Sequence, residues 1–155
     1  MDGSPLMPKD PYQRANARLW ANYIDKKIYP SASGILRNKG EAQEASKKEF
    51  IECLKLLEGK LKEKPFFGND TFGLVDIILI PFSSWFDLFK TYGYFNVEEE
   101  CLTLMRWVKS CLERESVSKT LPDPHKLYDF VESMRKNLRI NRSGRLKQEW
   151  KAFMK

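Results

Sequence analysis

The stretch from Phe72 to Phe86 constrains the fold more than any other part of the sequence, because nearly every residue in it is apolar. Such a run is a buried strand or a buried helix, and periodicity alone does not separate the two. Local signals favour a helix. Gly73 fits the N-cap, and Asp76 three residues later can accept a hydrogen bond from its backbone N–H. Phe72 can pack on Ile77 as a hydrophobic staple. A helix that is apolar nearly all round belongs at the centre of a core.

Prolines and turn residues predict where the helices begin and end. Asp10-Pro11 predicts the start of the first helix, with Asp10 as the N-cap. Pro30 predicts the end of that helix, and residues 31–34 fit either a break or a distorted further turn. Pro81 lies inside the apolar helix and predicts a kink there.

Three further amphipathic helices are predicted over 41–61, 96–113 and 125–138. Their apolar faces are Phe50, Cys53, Leu54, Leu57 and Leu61; Cys101, Leu104, Val108 and Cys111 or Leu112; and Leu127, Phe130, Val131 and Met134. No stretch of useful length alternates as a strand does, and the chain has no internal repeat. The predicted fold class is therefore all-α, a compact bundle of about five main helices.

The positive charge of the chain is confined to one end. The 155 residues carry a net charge of +6, but the segment 135–155 alone carries +7, opposed only by Glu149. The body is thus close to neutral, which argues against nucleic acid as a partner. We divide the chain into a stiff, proline-rich lead-in over 1–11, a helical domain over 12–138 and a basic amphipathic tail over 139–155.

The residues that could carry metal or redox chemistry are few. Three cysteines without CxxC spacing, each on an apolar helical face, indicate core positions in a reducing compartment. The single His125 follows a proline-rich break and predicts an exposed first-turn residue rather than a metal ligand or a general base. The N-terminus has no apolar segment of the secretory type. We therefore expect a cytoplasmic protein with no metal site and no cofactor.

Four segments of the sequence resemble the plant tau class of glutathione S-transferases. SPLMPKDPYQRA (4–15) is similar to the linker and first helix of the C-terminal domain, and WANYIDKKIY (20–29) continues that helix. FGNDTFGLVDIILIPFSSWF (67–86) resembles the central helix, and SVSKTLP (116–122) follows in the family's order. Many members of the family have Ser or Thr at the N-cap position of Gly73, although Gly is frequent in the tau class. The resemblance covers about nine-tenths of the chain and implies the C-terminal helical domain of that family.

The resemblance also implies an activity and its location. In this family a thioredoxin-like domain precedes the linker and binds glutathione, which is a co-substrate, and a serine in that domain stabilises the thiolate. This sequence begins at the linker, so it carries the electrophile-binding half without the means to activate a thiol. We expect the chain alone to be inactive as a transferase that conjugates glutathione to hydrophobic electrophiles in detoxification and stress responses. The alternative is a non-catalytic module that binds hydrophobic ligands, as ligandins do, or a protein-interaction module.

No catalytic residue is predicted in this chain, but the resemblance places a hydrophobic pocket on three helices. The positions that match its lining are Tyr29, Ser33, Leu36, Trp85, Phe130, Met134 and Asn137. Some tau members have an Arg and a Trp where this chain has Ser33 and Leu36, so the family's substrate preference does not transfer. For each residue, the alternative is an ordinary place in the core. Gly73, Asp76, Phe72 and Ile77 are expected to act only as the helix cap and staple.

Two surfaces predict partners. The faces of the first and central helices that pack on the other domain in the family would be exposed here, which predicts a homodimer or a heterodimer. The tail places Leu146, Trp150, Phe153 and Met154 about one helical turn apart among basic residues. Such a segment predicts a calmodulin-like or anionic-surface partner, and the alternative is an extension with no function.

Overall fold

The computed structural model describes residues 8–68 and 71–140, with side chains within these ranges up to Asn137. The α-helical segments are α1 Pro11–Tyr23, α2 Tyr29–Arg37, α3 Gly40–Leu61, α4 Leu74–Leu79, α5 Phe86–Leu88, α6 Val97–Glu100, α7 Leu102–Leu112, α8 Glu115–Ser118 and α9 Pro124–Ile140. Two π-helical segments, Ile24–Ile28 and Phe89–Gly93, and one 3₁₀ segment, Ile80–Trp85, join some of them end to end. The described residues contain no strand, and the all-α prediction is confirmed.

The first helix begins at the predicted residue, but the chain stays helical beyond its predicted end at Pro30. The Asp10 carboxylate accepts a hydrogen bond from the backbone N–H of Gln13 at 3.0 Å, and Pro11 is the first helical residue. Pro30 does not end the helix, because a π-helical turn precedes it and α2 follows without a break. In that turn the N–H of Tyr29 donates to the carbonyl of Ile24, five residues back. The wider turn accommodates the proline ring and its missing N–H.

The apolar segment is helical and central, as predicted, and its helix type changes along its length. α4 gives way at Ile80 to the 3₁₀ segment, in which Pro81 occupies the first turn. Pro81 therefore lies in a tighter helical turn, and the kink expected there stays a prediction. Leu79, Phe82 and Trp85 are buried along this stretch.

The single helix predicted over 96–113 is two helices, so that prediction is wrong. Cys101 separates α6 from α7 with non-helical backbone angles, φ −139° and ψ 73°. The carboxylate of Glu58, on α3, accepts a hydrogen bond from the backbone N–H of Leu104 at 2.9 Å. This acceptor from a distant helix satisfies an N-terminal donor of α7, which stabilises a separate helix start.

One hydrophobic core joins these elements. It contains the five predicted α3 residues together with Cys101, Leu104, Val108 and Cys111 of the α7 region and Leu127, Val131 and Met134 of α9. Leu112, the alternative to Cys111, is exposed. α9 is helical as far as Ile140, the last described residue, and so extends past the predicted 138. The rest of the predicted tail lies outside the described residues. Every helix within the described residues is too short or too polar to cross a bilayer.

Candidate functional site

At the predicted start of the central helix, one buried carboxylate accepts hydrogen bonds from three donors. Asp76 accepts hydrogen bonds from the backbone N–H of Gly73 at 2.8 Å and of Phe67 at 2.9 Å. The indole Nε1–H of Trp107, on α7, donates to the same carboxylate at 2.8 Å. Burial raises the pKa of Asp76 above its ordinary value, and the three hydrogen bonds oppose that shift. Each of these contacts is to a donor of the chain itself, so the geometry is that of a structural cap.

The two staple residues occupy different environments. The Phe72 ring packs edge to face on Phe66, with centroids 5.7 Å apart, and the Arg114 guanidinium lies 4.7 Å from the Phe72 ring centre. Ile77 is 37% exposed. The contact between Phe72 and Ile77 stays a prediction.

Three of the predicted pocket residues lie on one face of α2. Tyr29, Ser33 and Leu36 are spaced by four and three residues, which brings their side chains onto one helical face. Ser33 and Leu36 are buried, whereas Tyr29 is half-buried at the edge of the core. This face is therefore largely closed to solvent.

The other predicted pocket residues are divided between core and surface. Trp85 and Met134 are buried in the same hydrophobic core as Leu36, and Phe130 packs against that core. Asn137 is exposed near the end of the described side chains. The structure thus brings six of the seven predicted residues to one core or its margin, and Asn137 lies outside it.

Arg135, which sequence analysis did not single out, ties α9 to α2. Its guanidinium donates to the carbonyl oxygen of Leu36 at 2.6 Å and lies 4.7 Å from the ring centre of Tyr92. The Tyr92 hydroxyl in turn donates to the Glu132 carboxylate. Through these contacts α9 is held against both α2 and the π-helical segment that follows α5.

Three buried polar atoms on α2 have no hydrogen-bond partner. They are the hydroxyl oxygens of Tyr29 and Ser33 and the Nε of Arg37. Burial raises the pKa of Tyr29, and the positive charge of Arg37 opposes that shift. The Tyr29 hydroxyl therefore stays protonated near neutral pH and can donate a hydrogen bond. Arg37 was missed in the sequence, although its place four residues after Ser33 and eight after Tyr29 was a visible signal.

The cysteines occupy core positions, and two of them are poor nucleophiles. All three are buried and none forms a disulfide, and burial raises the pKa of the Cys101 and Cys111 thiols to about 12. A thiol with this pKa is almost wholly protonated near pH 7 and does not attack. His125 is exposed in the first turn of α9, where its backbone N–H donates to the Asp123 carboxylate. Within 8–68 and 71–140, no group of three or more His, Cys, Asp or Glu residues could hold a metal ion.

Two cavities open at other places among the described residues. One of about 510 Å³ lies between α1, the start of α4 and the connector before it, and is lined by Trp20, Phe67 and Lys64 among others. A second of about 560 Å³ lies between the 3₁₀ segment, α7 and the start of α9, and is lined by Leu88, Val108 and Leu127 among others.

Comparisons with known proteins agree with this architecture. A family model described as glutathione S-transferase, C-terminal domain, matches residues 40–110. Glutathione S-transferase 3 of Glycine max is 56% identical over 137 residues, which are 88% of this chain and 63% of that protein. The probable glutathione S-transferase parA of Nicotiana tabacum is 53% identical over 137 residues, 88% of this chain and 62% of that protein. The chain therefore spans a little under two thirds of the length of these relatives.

Solved structures give the same result. Rice GST1 (OsGSTU1), in complex with glutathione, superposes with a TM-score of 0.79 at 41% identity, covering 87% of this chain and 64% of that one. The tau-class glutathione S-transferase MiGSTU of mango superposes with a TM-score of 0.71 at 36% identity, covering 82% of this chain and 61% of that one. The helical order, the capped central helix and the α2–α9 face define a glutathione S-transferase C-terminal domain, and the chain belongs to that family. Within the family it groups with the plant tau class.

Proposed function

We propose that these residues form the electrophile-binding part of a glutathione transferase that conjugates glutathione to hydrophobic electrophiles. The observation that carries this proposal is the 41% identity, at a TM-score of 0.79, to the rice protein that was crystallised with glutathione. The α2 face and α9 supply the apolar and aromatic side chains that a pocket for flat hydrophobic molecules needs. We also propose a cytoplasmic role in detoxification and stress responses, as the resemblance to the tau class implies.

Activation of the glutathione thiol is assigned to a separate glutathione-binding domain. A thiol is only slightly ionised near neutral pH, so the enzyme must stabilise the thiolate before it attacks. Among the described residues, Asp76 is fully engaged by its three donors, and the protonated Cys101 and Cys111 do not serve as bases. This domain contributes the position of the electrophile and the exclusion of water, and no residue of it is assigned a catalytic role.

The test compares two polypeptides in the conjugation of glutathione to 1-chloro-2,4-dinitrobenzene. Residues 1–155 alone are expected to give no turnover above the uncatalysed rate. The same residues joined to the thioredoxin-like domain of a plant tau-class relative are expected to give turnover. Rapid turnover by residues 1–155 alone would contradict the division of labour, and a folded but inactive fusion would contradict the transferase function.

A second candidate function is non-catalytic binding of hydrophobic small molecules. The cavities of about 510 and 560 Å³ support it, because both fall in the size range of small-molecule sites and both mix apolar with polar lining. Saturable binding of a fluorescent hydrophobic anion by residues 1–155, with no transferase activity in the fusion, is the result that favours this function.

We also propose that α1 takes part in a dimer or in docking of another subunit. Tyr12 is 79% exposed and Leu19 63% exposed, and they lie two helical turns apart on the same side of α1. Large apolar side chains exposed together on one helix favour association. The partner proposed for the basic tail rests on residues outside the described ranges.

A further inference from the structure

The polar atoms without partners on α2 form a row rather than a scatter. Tyr29, Ser33 and Arg37 follow one another at four-residue intervals, so each side chain lies about one turn from the next on the same side of the helix. Ser33 is 1% exposed, and its hydroxyl oxygen, the Tyr29 hydroxyl oxygen and the Arg37 Nε are all buried. A buried polar group without a partner costs folding free energy, so three in one row need an explanation.

The contrast with the neighbouring polar side chain shows that α2 can satisfy such groups internally. The Ser31 hydroxyl, elsewhere on the same helix, donates to the carbonyl of Lys27 at 2.7 Å and to that of Ile28 at 3.1 Å. Ser33 makes no such bond back to its own helix, although a serine in a helix commonly does. Its hydroxyl is thus available to a group outside the helix.

All three members of the row can donate hydrogen bonds. Arg37 has only donors and is permanently positive, and the Tyr29 hydroxyl stays protonated because burial raises its pKa. The complementary ligand group is therefore an acceptor, and an anionic acceptor gains most from a guanidinium.

Charges around the row place the anionic group at the Arg37 end. Asp25 lies one turn before Tyr29, and its negative charge disfavours an anion there. At the other end, the Arg135 guanidinium donates to the Leu36 carbonyl, next to Arg37. This second positive charge offsets the partial negative charge at the C-terminus of α2.

We propose that the row Tyr29, Ser33 and Arg37 selects hydrophobic ligands that carry a carboxylate or similar anionic group, held by Arg37 and Ser33. The inference rests on the proposed function, since it specifies the class of molecule that the electrophile pocket accepts. Leu36, which is 1% exposed, shares this face of α2 with Tyr29 and is the apolar neighbour that the ring system of such a ligand would contact.

The experiment uses two probes of nearly equal size, 2-naphthoate and its neutral methyl ester, titrated into residues 1–155 by calorimetry. The carboxylate is expected to bind about tenfold or more tightly than the ester, because the charge-assisted bond is absent from the ester. Arg37→Met is expected to remove most of that preference while changing ester affinity less than about twofold. Lys39→Met, which removes a nearby exposed charge, is the control and is expected to leave the preference intact.

A second variant guards against a folding defect in Arg37→Met. Tyr29→Phe/Ser33→Ala removes two oxygen atoms and no charge, and it is expected to weaken carboxylate binding about threefold to tenfold. Equal affinity for the two probes in the unmodified chain, or an unchanged preference in both variants, would overturn this inference and leave the proposed function standing. Failure of both probes to bind would overturn the inference together with the pocket on which the proposed function rests.

Discussion

At the scale of single residues, Asp76 links three parts of the chain that are distant in sequence. Its carboxylate accepts hydrogen bonds from the backbone N–H of Phe67 in the connector, from that of Gly73 at the helix start and from the indole of Trp107 on α7. Because all three donors are directed at one buried group, loss of that group would leave each of them without an acceptor. Donors of this kind cannot be solvated without opening the core.

Replacement of Asp76 by Ala is therefore expected to lower the free energy of unfolding by about 3 kcal/mol or more, from the lost cap and the buried donors left unpaired. Urea unfolding followed by circular dichroism measures this change. Asp129→Ala, on the exposed side of α9, is the matched control and is expected to change stability by less than about 0.5 kcal/mol. Similar losses in both variants would contradict the role given to Asp76.

The same carboxyl predicts a pH dependence. Burial raises the pKa of Asp76 in the folded protein, so the folded state binds its proton more tightly than the unfolded chain does. The stability that Asp76 contributes is then full below the unfolded pKa of about 4 and falls as the pH rises through the folded pKa. The stability difference between the unmodified chain and Asp76→Ala should shrink over that window in urea unfolding at stepped pH. A difference that grows with pH would show the opposite shift.

The cap shows how far the sequence could predict this site. Gly73 and Asp76 are three residues apart, and that spacing alone predicted their hydrogen bond. Trp107 lies 31 residues further on, and no local pattern connects it with Asp76. Arg135 was missed for a related reason, because its importance depends on the packing of α9 against α2.

The thiols provide a second test at this scale. Because burial raises the pKa of Cys101 and Cys111 to about 12, both are expected to resist alkylation by iodoacetamide at pH 8 in the folded protein. The same cysteines should react within minutes in 6 M guanidinium chloride, which mass spectrometry of peptides resolves site by site. Fast labelling of either cysteine under native conditions would contradict the core assignment.

At the scale of elements, interruptions in the helices decide where sequence-based boundaries succeed and fail. Asp10-Pro11 gave the correct start of α1 because a cap is a local arrangement. Pro30 predicted an end that does not exist, since the preceding π-helical turn cannot be read from composition. The break at Cys101 was missed because its stabilising acceptor, Glu58, belongs to another helix.

Close packing of α2 on α3 depends on Gly34. A Cβ atom at this position would lie 2.9 Å from the Cβ of Ser46 on α3, too close without movement of one helix. Gly34→Ala is expected to destabilise the domain by about 1–3 kcal/mol in urea unfolding. Addition of Ser46→Gly should restore part of the loss, because it removes the side chain that the new methyl group would meet.

Gly59 is the matched control within the same pair of helices. A Cβ added there meets nothing within 4 Å, so Gly59→Ala in α3 is expected to stabilise the domain by up to about 1 kcal/mol. Equal effects of the two Gly→Ala substitutions would show that helix propensity, rather than helix contact, determines both.

At the scale of the whole molecule, one core joins α2, α3, α7 and α9 with the central helix, whereas α1 packs against it only through partly buried side chains and leaves Tyr12 and Leu19 in solvent. The fold class and the central position of the apolar helix were predictable, because burial follows from hydrophobicity over long segments. The closure of the pocket face was not predictable, because it depends on how α9 is held to α2 by Arg135.

The exposed face of α1 predicts the association state. Residues 1–155 are expected to self-associate at micromolar concentration, and Leu19→Lys is expected to shift the molecule toward the monomer by introducing charge into the apolar contact. Leu56→Lys, at a leucine that is 53% exposed on α3, is the control and should leave the association unchanged. Multi-angle light scattering measures the mass of each variant. A monomeric parent chain, or equal effects of both lysines, would contradict an α1 interface.

The 3₁₀ segment Ile80–Trp85 sets the direction in which the end of the central helix points. Each 3₁₀ residue advances the chain by about 120° around the axis and about 2.0 Å along it, compared with about 100° and 1.5 Å in an α-helix. Over six residues this amounts to an extra rotation of about 120° and an extra length of about 3 Å. The direction in which the Trp85 side chain points around the helix axis therefore depends on the helix type of the residues before it. A regular α-helix of identical sequence would present a different side chain to the core.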